Sequence, residues 1–416
     1  MRDFLPGEAA LRDWATGLLL KTYEQFGFTR IETPALENIA NLRGGEGGEN
    51  LALIFEVLKR GDKLDKLISK SPVDRDELAD LGLRFDLTVP LVRFYSHNQN
   101  KLPNPFKAIQ VGHVWRAESP QQGRFRQFTQ CDIDTFGVKS EVAEMELIQA
   151  TSEALLTLGF EQFMVRLNDR RVLTRLAEHC GFAPKSFENV FIQIDKLDKL
   201  GLDGVRQELL DNGHADKCVR PLLTYLESVA ATAARPDNLN SLLPPNVDEP
   251  VVLALSNVLR AIQKVAQGRY TIRIDPTLVR GMGYYTGQIF EISCKGYSHS
   301  VAGGGRYDKM VGKMTGRDVP ACGFSIGFER IISLLTEARC IPPEHGEKTV
   351  LLFDDEKDSM PDVLSAAKKL RAKQIVSLVP KKKEMRKQLD ALQGSGYKRY
   401  AVFKSDATEL EIRELE

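Results

Sequence analysis

The stretch 107–137, KAIQVGHVWRAESPQQGRFRQFTQCDIDTFG, holds the densest set of side chains able to do chemistry. Arg116 and Glu118 close one strand-like run, 108–115, and Arg124 and Arg126 stand at the start of a second, 125–136. Residues two apart in a strand face the same side, so Gln130, Asp132 and Asp134 share one face. A face acidic at one end and arginine-rich at the other suits a ligand that is cationic at one end and anionic at the other. A solvated hairpin with weak cross-strand ion pairs fits the same pattern. Asp86 and Thr88, in the strand-like LRFDLT at 83–88, are also two apart and add another carboxylate. Further on, LVRGMGYYTGQIFEISC (278–294) is followed by SVAGGGRYD (300–308). Three consecutive glycines permit a close backbone approach to a ligand, or simply a flexible turn. In CGFSIGFERIISLL (322–335) a helix opens at Phe328, Glu329 and Arg330. Arginine in a first helical turn opposes the helix dipole, whereas a bound anion there would account for it.

The elements that must position these residues are read from periodicity and punctuation. Apolar spacing predicts a helix over 6–26, then a strand over 28–34 stopped by Pro34. Residues 43–80 read as loops with one short strand at 54–57. A helix begins near Val89 with Pro90 in its first turn, and the 107–137 hairpin turns at a polar tip, 119–123. An amphipathic helix over 141–158 and a strand over 163–168 follow. From 171 to 267 the texture is helical, broken by Gly181, Gly201 and Gly213. Strands return at 270–275 and 288–292. After a linker at 338–347, the pattern is strand 349–353, helix 363–373, strand 375–378, basic helix 381–392 and strand 397–403. The fold class expected is an α+β catalytic domain on an antiparallel sheet with a helical insertion, plus a small C-terminal α/β (βαβαβ) domain. The lysines at 381–383, with Arg386, Lys387, Lys398 and Arg399, make that last domain locally basic. Such a face is either solvated or turned to a phosphate backbone.

Composition narrows the classes. A chain of 416 residues is expected to form two or three domains. With 42% hydrophobic and 27% charged residues it is neither disordered nor fibrous in make-up. Lysine plus arginine and aspartate plus glutamate both number 57, so a basic surface for nucleic acid must be local. No apolar run approaches the roughly 20 residues that span a bilayer, and no signal peptide or membrane partner is expected. The six cysteines (131, 180, 218, 294, 322, 340) form no C-x-x-C pair, which argues against a zinc site and for a cytoplasmic, reducing setting. The six histidines are scattered too, so no metal site built from protein side chains is expected.

These segments together resemble the histidyl-tRNA synthetase family of class II aminoacyl-tRNA synthetases, over nearly the whole chain. Residues 28–34 resemble motif 1, the interface helix and strand ending in proline. VWRAE at 114–118 with 124–134 resembles motif 2, and GFSIGFER at 323–330 resembles motif 3. RGMGYYTG at 280–287 is similar to the family's R-G-L-D-Y-Y-T-G, and AGGGRYD at 302–308 matches its A-G-G-G-R-Y-D. The resemblance implies a catalytic domain over 1–170 and 268–337, a helical insertion at 171–267 and a shortened anticodon-binding-like domain at 347–416. It also implies activation of L-histidine by ATP to histidyl-adenylate, transfer to tRNA(His), and a homodimer. Arg280 and Arg116 would be catalytic. Arg116 would hold the α-phosphate and substrate carboxylate, and Arg330 the γ-phosphate. Glu118 would face the adenine amino group, with Phe125 stacked on the ring and Mg2+ bridging the phosphates. Asp86, Thr88 and Gln130 would receive the α-ammonium, while Asp134 and Tyr285, with Tyr284 beside them, would bracket the imidazole.

The chain departs from the family at Gly283, where aspartate is common. Asp86 and Asp134 replace the glutamates of many bacterial members, as in the eukaryote-like branch, and the C-terminal module is short. The runner-up is a catalytically inactive relative, the regulatory subunit of ATP phosphoribosyltransferase. The presence of Arg116, Arg280 and Arg330 and of a basic C-terminal module favours the ligase.

Overall fold

Pro6 opens the first helix, Pro6–Gln25, at a position where a missing N–H goes unnoticed. Leu11, Ala15, Leu19 and Tyr23, four apart, form its buried stripe, and Gly27, at φ 78°, ends it. The computed structural model describes the chain apart from residues 1, 46–51, 71, 120–124, 231–238, 282, 298, 343–347, 406–409 and 416. It divides into two compact units, Met1–Cys340 and Ile341–Glu416.

In chain order the strands of the larger unit are β1 (Thr29–Arg30), β2 (Leu36–Asn38), β3 (Glu56–Leu58), β4 (Ala79–Leu83), β5 (Phe106–Trp115), β6 (Gln127–Phe136), β7 (Met164–Asp169), β8 (Thr271–Ile274), β9 (Gln288–Ser293), β10 (Ser300–Arg306) and β11 (Ala321–Gly327). Eight of them form one sheet in the order β1-β5-β6-β11-β10-β9-β7-β8, and β2-β4-β3 form a small second sheet. The large sheet is antiparallel except for β1 with β5 and β7 with β8, the pairs at its two edges. The second parallel pair follows from the helices between β7 and β8, which return the chain to the end it left. One sheet face is apolar. Ile133, Phe324, Phe290 and Leu167 lie there, within a core completed by the helices Pro6–Gln25, Val142–Thr157, Glu249–Ala266 and Phe328–Glu337. Full burial of each such side chain is worth about 1.5–3 kcal/mol.

A buried ion pair ties the ends of this core together. Arg12 in the first helix donates to both carboxylate oxygens of Glu329, at 2.6 and 2.8 Å, and to the Thr129 hydroxyl at 3.0 Å. The Thr129 amide donates to the same glutamate at 3.0 Å. Phe4 and Phe328 flank the guanidinium at 4.0 and 5.0 Å.

Several local expectations change. The strand predicted at 83–88 ends at Leu83, and a helix, Thr88–Asn98, starts where the strand was to finish. The Asp86 carboxylate accepts the Val89 N–H at 3.1 Å, and Pro90 has no N–H to satisfy, so a helix start wins over an extended run. Asp86 and Thr88 are therefore not alternate residues of a strand. Within 43–80, the short strand falls at Glu56–Leu58 and a helix forms at Asp62–Ile68. Among the described residues 171–267 hold helices and no strand, including Phe187–Asp195, Leu197–Asp211 and Asp216–Ala230. These pack around Val190, Phe191, Val205, Leu209, Leu222 and Leu226.

In the smaller unit, β12 (Lys348–Phe353), β13 (Ile375–Pro380), β14 (Arg399–Val402) and β15 (Ile412–Glu414) form a sheet in the order β13-β12-β14-β15. The first three are parallel, joined through the helices Met360–Arg371 and Met385–Gly394, and β15 adds antiparallel. The basic helix expected from 381 starts at Met385 instead. The Gln388 side chain accepts the Lys382 N–H and donates to the Pro380 carbonyl, both at 2.8 Å, which holds the lysine run in a turn.

Candidate active site

Strand register builds one polar face on the large sheet. Directly paired residues form a row of Gln110, Asp132, Ser325, Gly303, Glu291 and Arg166, and beside it a row of Ala108, Asp134, Gly323, Gly305 and Ile289. Paired residues project to the same side, so the acids of β6 and the glycines of β10 and β11 share this face. None of Gly303, Gly305 and Gly323 has a positive φ, so turn geometry does not require them. A Cβ on Gly303 would lie 2.3–2.4 Å from the Arg280 guanidinium, one on Gly305 2.9 Å from the Tyr285 ring, and one on Gly323 1.9 Å from Asp134 Oδ1. The glycines form a floor that leaves room for the side chains of Arg280, Tyr285 and Asp134. Of the two readings open to the glycine run, close approach holds, and the approaching groups are the protein's own.

At one end of the floor stand three buried carboxylates. The Tyr307 hydroxyl donates to Asp134 at 2.5 Å. Burial nonetheless raises that carboxyl to about 7, with the Tyr307 bond opposing. Asp86 is raised to about 6 by burial, against the Val89 N–H and Arg116. Asp132 is pushed well above the usual range by burial and then by Asp134, with Ser325 opposing. Gln130 donates to the Ser325 hydroxyl at 3.0 Å, which lines Gln130, Ser325 and Asp132 into one chain. Thr88, the first residue of its helix, is buried next to Asp86. The turn carrying Asp86 is pinned to β5. Arg84 Nε donates to His113 O at 2.8 Å, Gln110 to Leu87 O at 3.0 Å, Arg116 Nε to Phe85 O at 3.0 Å and the Trp115 N–H to Arg84 O at 3.0 Å.

The cationic end is Arg280, over Gly303 and two strands from Asp132, about 10 Å at ordinary strand spacing. Its Nη1 donates to Glu291 Oε2 at 2.7 Å. Tyr285 lies beside it. Burial pushes that hydroxyl up to about 12, with Arg280 opposing, and Tyr284 packs edge-on at 4.9 Å. Arg330 runs its stem over Gly327, the glycine paired with Gln130, and bonds the Ser300 carbonyl at 2.5 Å. Arg116 sits 5.1 Å from the ring of Phe128, which is two residues before Gln130 and so on the same face. Phe125 is elsewhere, with Arg2 5.3 Å from its ring. The structure thus gathers Asp86, Thr88, Gln130, Asp134, Arg280, Tyr284 and Tyr285 around one floor, with Arg116 and Arg330 along it. Glu118 and Phe125 lie in the segment that joins β5 to β6, where the Glu118 carbonyl accepts Arg126 Nε at 3.3 Å. Of the 119–123 tip only Ser119 is among the described residues, and Arg124 and Met282 are likewise outside them.

What the floor lacks defines what it can bind. Asp86 Oδ2, Gln130 Oε1 and Asp132 Oδ1 are buried acceptors without a donor, and Arg280 Nε is a buried donor without an acceptor. Buried polar groups are ordinarily satisfied. Three open acceptors at one end and an open cationic donor at the other fit a zwitterion, its ammonium toward the acids and its anion toward Arg280. Among the described residues no group of three or more His, Cys, Asp or Glu side chains could hold a metal ion. Alternation places Asp132 on the ligand-facing side without a role, whereas Phe128, Ser325, Tyr307 and Glu291 were not among the expected site residues. Alternation along β6 could also have found Phe128, and the other three depend on register between distant strands. A separate cavity of about 350 Å³ opens where β1 stops covering β5, lined by Arg84, Gln110, Gly112, His113 and Phe328.

The chain is similar to known proteins over most of its length. The family profile described as histidyl-tRNA synthetase matches residues 1–331. The chain is 42% identical to the histidine–tRNA ligase of Leifsonia xyli subsp. xyli, covering 100% of this chain and 97% of that one. It is similar to the crystal structure of histidyl-tRNA synthetase from Nostoc sp. PCC 7120, with a TM-score of 0.76, 27% identity and coverage of 100% and 93% of the two chains. A Bacillus halodurans structure titled as an ATP phosphoribosyltransferase regulatory subunit/histidyl-tRNA synthetase shares the fold, with a TM-score of 0.74 at 21% identity over 97% of each chain.

Proposed function

The chain belongs to the histidyl-tRNA synthetase family and acts as an aminoacyl-tRNA ligase for histidine, and we propose how its residues divide that work. The observation that carries the assignment is the set of buried, unpartnered atoms: three acceptors facing one donor across a glycine floor. L-Histidine is seated with its ammonium at Asp86, Gln130 and Asp132, and with its carboxylate toward Arg280 and Arg116. Asp134, held by Tyr307, takes one imidazole N–H, and the Tyr285 hydroxyl meets the other ring nitrogen. A competitor lacking either nitrogen leaves a buried polar group unpaired, which is the kind of loss that discriminates strongly.

Activation is an in-line attack of the histidine carboxylate on the α-phosphate of ATP, releasing pyrophosphate and leaving histidyl-adenylate. Catalysis is then positioning and charge neutralisation. Arg280 and Arg116 face the α-phosphate and Arg330 the outer phosphates. Phe128, in place of Phe125, serves as the aromatic platform for adenine, with Glu118 at the amino group. Mg2+ would accompany ATP as part of the nucleotide substrate, where it would neutralise phosphate charge. The tRNA(His) acceptor end approaches from the hairpin side. The domain limits are assigned as 1–170 with 268–337 for catalysis, 171–267 as a helical insertion and 347–416 as an anticodon-binding module. A class II homodimer in the cytoplasm completes the reading. The open edge of β5, with its cavity next to the 31–34 segment, supports such pairing. In the described residues no helix is long and apolar enough to cross a membrane.

The test is histidine-dependent ATP–pyrophosphate exchange followed by charging of tRNA(His). Both are expected, and a folded protein without exchange would instead fit the regulatory-subunit alternative. A second expectation follows from the acids. In the empty site Asp134 and Asp86 keep their protons up to about pH 7 and 6, against ordinary values near 4. Their raised folded pKa values make the unliganded protein lose stability as pH rises through that window. A bound ammonium at Asp86 and an imidazole N–H at Asp134 favour the ionised forms, so histidine should stabilise the protein more at pH 8 than at pH 5.5. Melting curves with and without histidine read this directly. A shift that is equal at both pH values, or unchanged in Asp134→Asn, would remove the acids from the binding step.

A further inference from the structure

We propose that Glu291 is the positioning residue for Arg280, and that the helical stretch after β7 acts on the reacting atoms through it. The inference rests on the role given to Arg280 above and adds a support which that reading does not use. Glu291 is the direct cross-strand neighbour of Gly303, on whose bare backbone the Arg280 guanidinium lies. From there its Oε2 accepts Arg280 Nη1 at 2.7 Å, and its Oε1 lies 3.5 Å from Arg166 Nη1. Arg166 in turn donates through Nε to Asp275 at 2.7 Å and through Nη1 to Asp198 at 3.1 Å. Asp275 is itself held by Arg273 at 2.9 Å and by the Thr277 hydroxyl at 2.6 Å. Asp198 lies in the first turn of the helix Leu197–Asp211. Alternating charges thus run from that helix to the floor of the site: Asp198 and Asp275, Arg166, Glu291, Arg280.

The geometry has a clear use. A guanidinium carries five N–H donors. Glu291 engages one nitrogen from the side away from the acids, and the Nε donor remains buried and unpartnered. The pairing fixes where the cation sits without using the donors that a carboxylate or phosphate oxygen needs. Orientation of this kind is worth much in a reaction governed by positioning, where a displacement of about 1 Å can cost about 100-fold.

The experiment measures exchange kinetics on the full chain for Glu291→Gln, Glu291→Asp, Arg280→Ala and the double variant Glu291→Gln with Arg280→Ala. For Glu291→Gln, kcat is expected to fall about 10- to 100-fold while KM for histidine and ATP stays within about threefold. Glu291→Asp should recover part of the loss, and the double variant should be no slower than Arg280→Ala alone. Losses that multiply in the double variant would overturn the proposal, because Glu291 would then act independently of Arg280. An undiminished kcat in folded Glu291→Gln would overturn it as well. If the Glu291 variants do not fold, Arg166→Gln withdraws the charge beside Glu291 Oε1 while keeping the carboxylate. The same kcat loss supports the proposal, and normal turnover sinks it. A wild-type protein without exchange defeats the proposed reaction itself, an outcome distinct from all of these.

Discussion

Arg280→Ala is expected to lower the turnover of histidine-dependent ATP–pyrophosphate exchange by about 10²–10³-fold, about 2.7–4 kcal/mol of transition-state stabilisation. The KM for histidine should rise much less, because the ammonium contacts remain and Arg116 still meets the carboxylate. The reason lies in where the side chain sits. Arg280 is at the opposite end of the floor from Asp86, Asp132 and Asp134, so ammonium recognition survives its removal. The charge that develops on the α-phosphate oxygens loses a cation already fixed in place by Glu291 at 2.7 Å. Lysine should not restore activity, because an ammonium lacks the planar fork that lies flat over Gly303. Steady-state exchange at saturating ATP checks this, and a variant with near-normal turnover would take Arg280 out of the chemistry.

Glu329→Ala is expected to destabilise the larger unit by about 3–5 kcal/mol, since it strands a buried guanidinium without its counter-charge. Arg12 and Glu329 are both largely hidden, at 10% and 7% side-chain exposure. The glutamate also accepts the Thr129 amide, so its loss opens the junction of the first helix, β6 and the helix behind β11. The measurement is denaturant unfolding followed by tryptophan fluorescence. Both tryptophans, Trp14 and Trp115, lie in Met1–Cys340, so the signal reports that unit and not the C-terminal one. Unfolding coincident with the wild type would mean that the pair does not bear on stability. Glu329 precedes Arg330, so a fold loosened here would also displace the arginine proposed for the outer phosphates.

Much of this was legible in the sequence. Alternation placed Gln130, Asp132 and Asp134 on one face, and β6 does so; helical spacing placed the first helix within a residue of its observed end. Both signals are local and periodic. What could not be read depends on partners far away in sequence. The 83–88 segment alternates like a strand, yet a carboxylate capping Val89 turns it into a helix start, a choice decided by hydrogen bonds that periodicity does not register. The glycines of β10 could have been turn or floor until register set Gly303 beside Glu291 and beneath Arg280. Phe125 and Phe128 are equally aromatic, and here a local signal was available: Phe128 alternates with Gln130, whereas Phe125 does not and lies by Arg2. The small sheet formed by β2, β4 and β3 escaped because strands of three to five residues give too short a pattern.

The unpartnered atoms of the floor have one more consequence, for how this protein would respond to selection for robustness. A buried donor or acceptor is typically worth about 1–3 kcal/mol to the fold when it is paired, and the protein itself supplies no partner to Asp86 Oδ2, Gln130 Oε1, Asp132 Oδ1 or Arg280 Nε. The fold therefore reserves for its substrate atoms that a more stable core would pair internally or replace. A library screened for heat resistance alone should accumulate apolar replacements at 86, 130 and 132. The survivors would be tougher and inert, because stability and activity compete for the same few atoms.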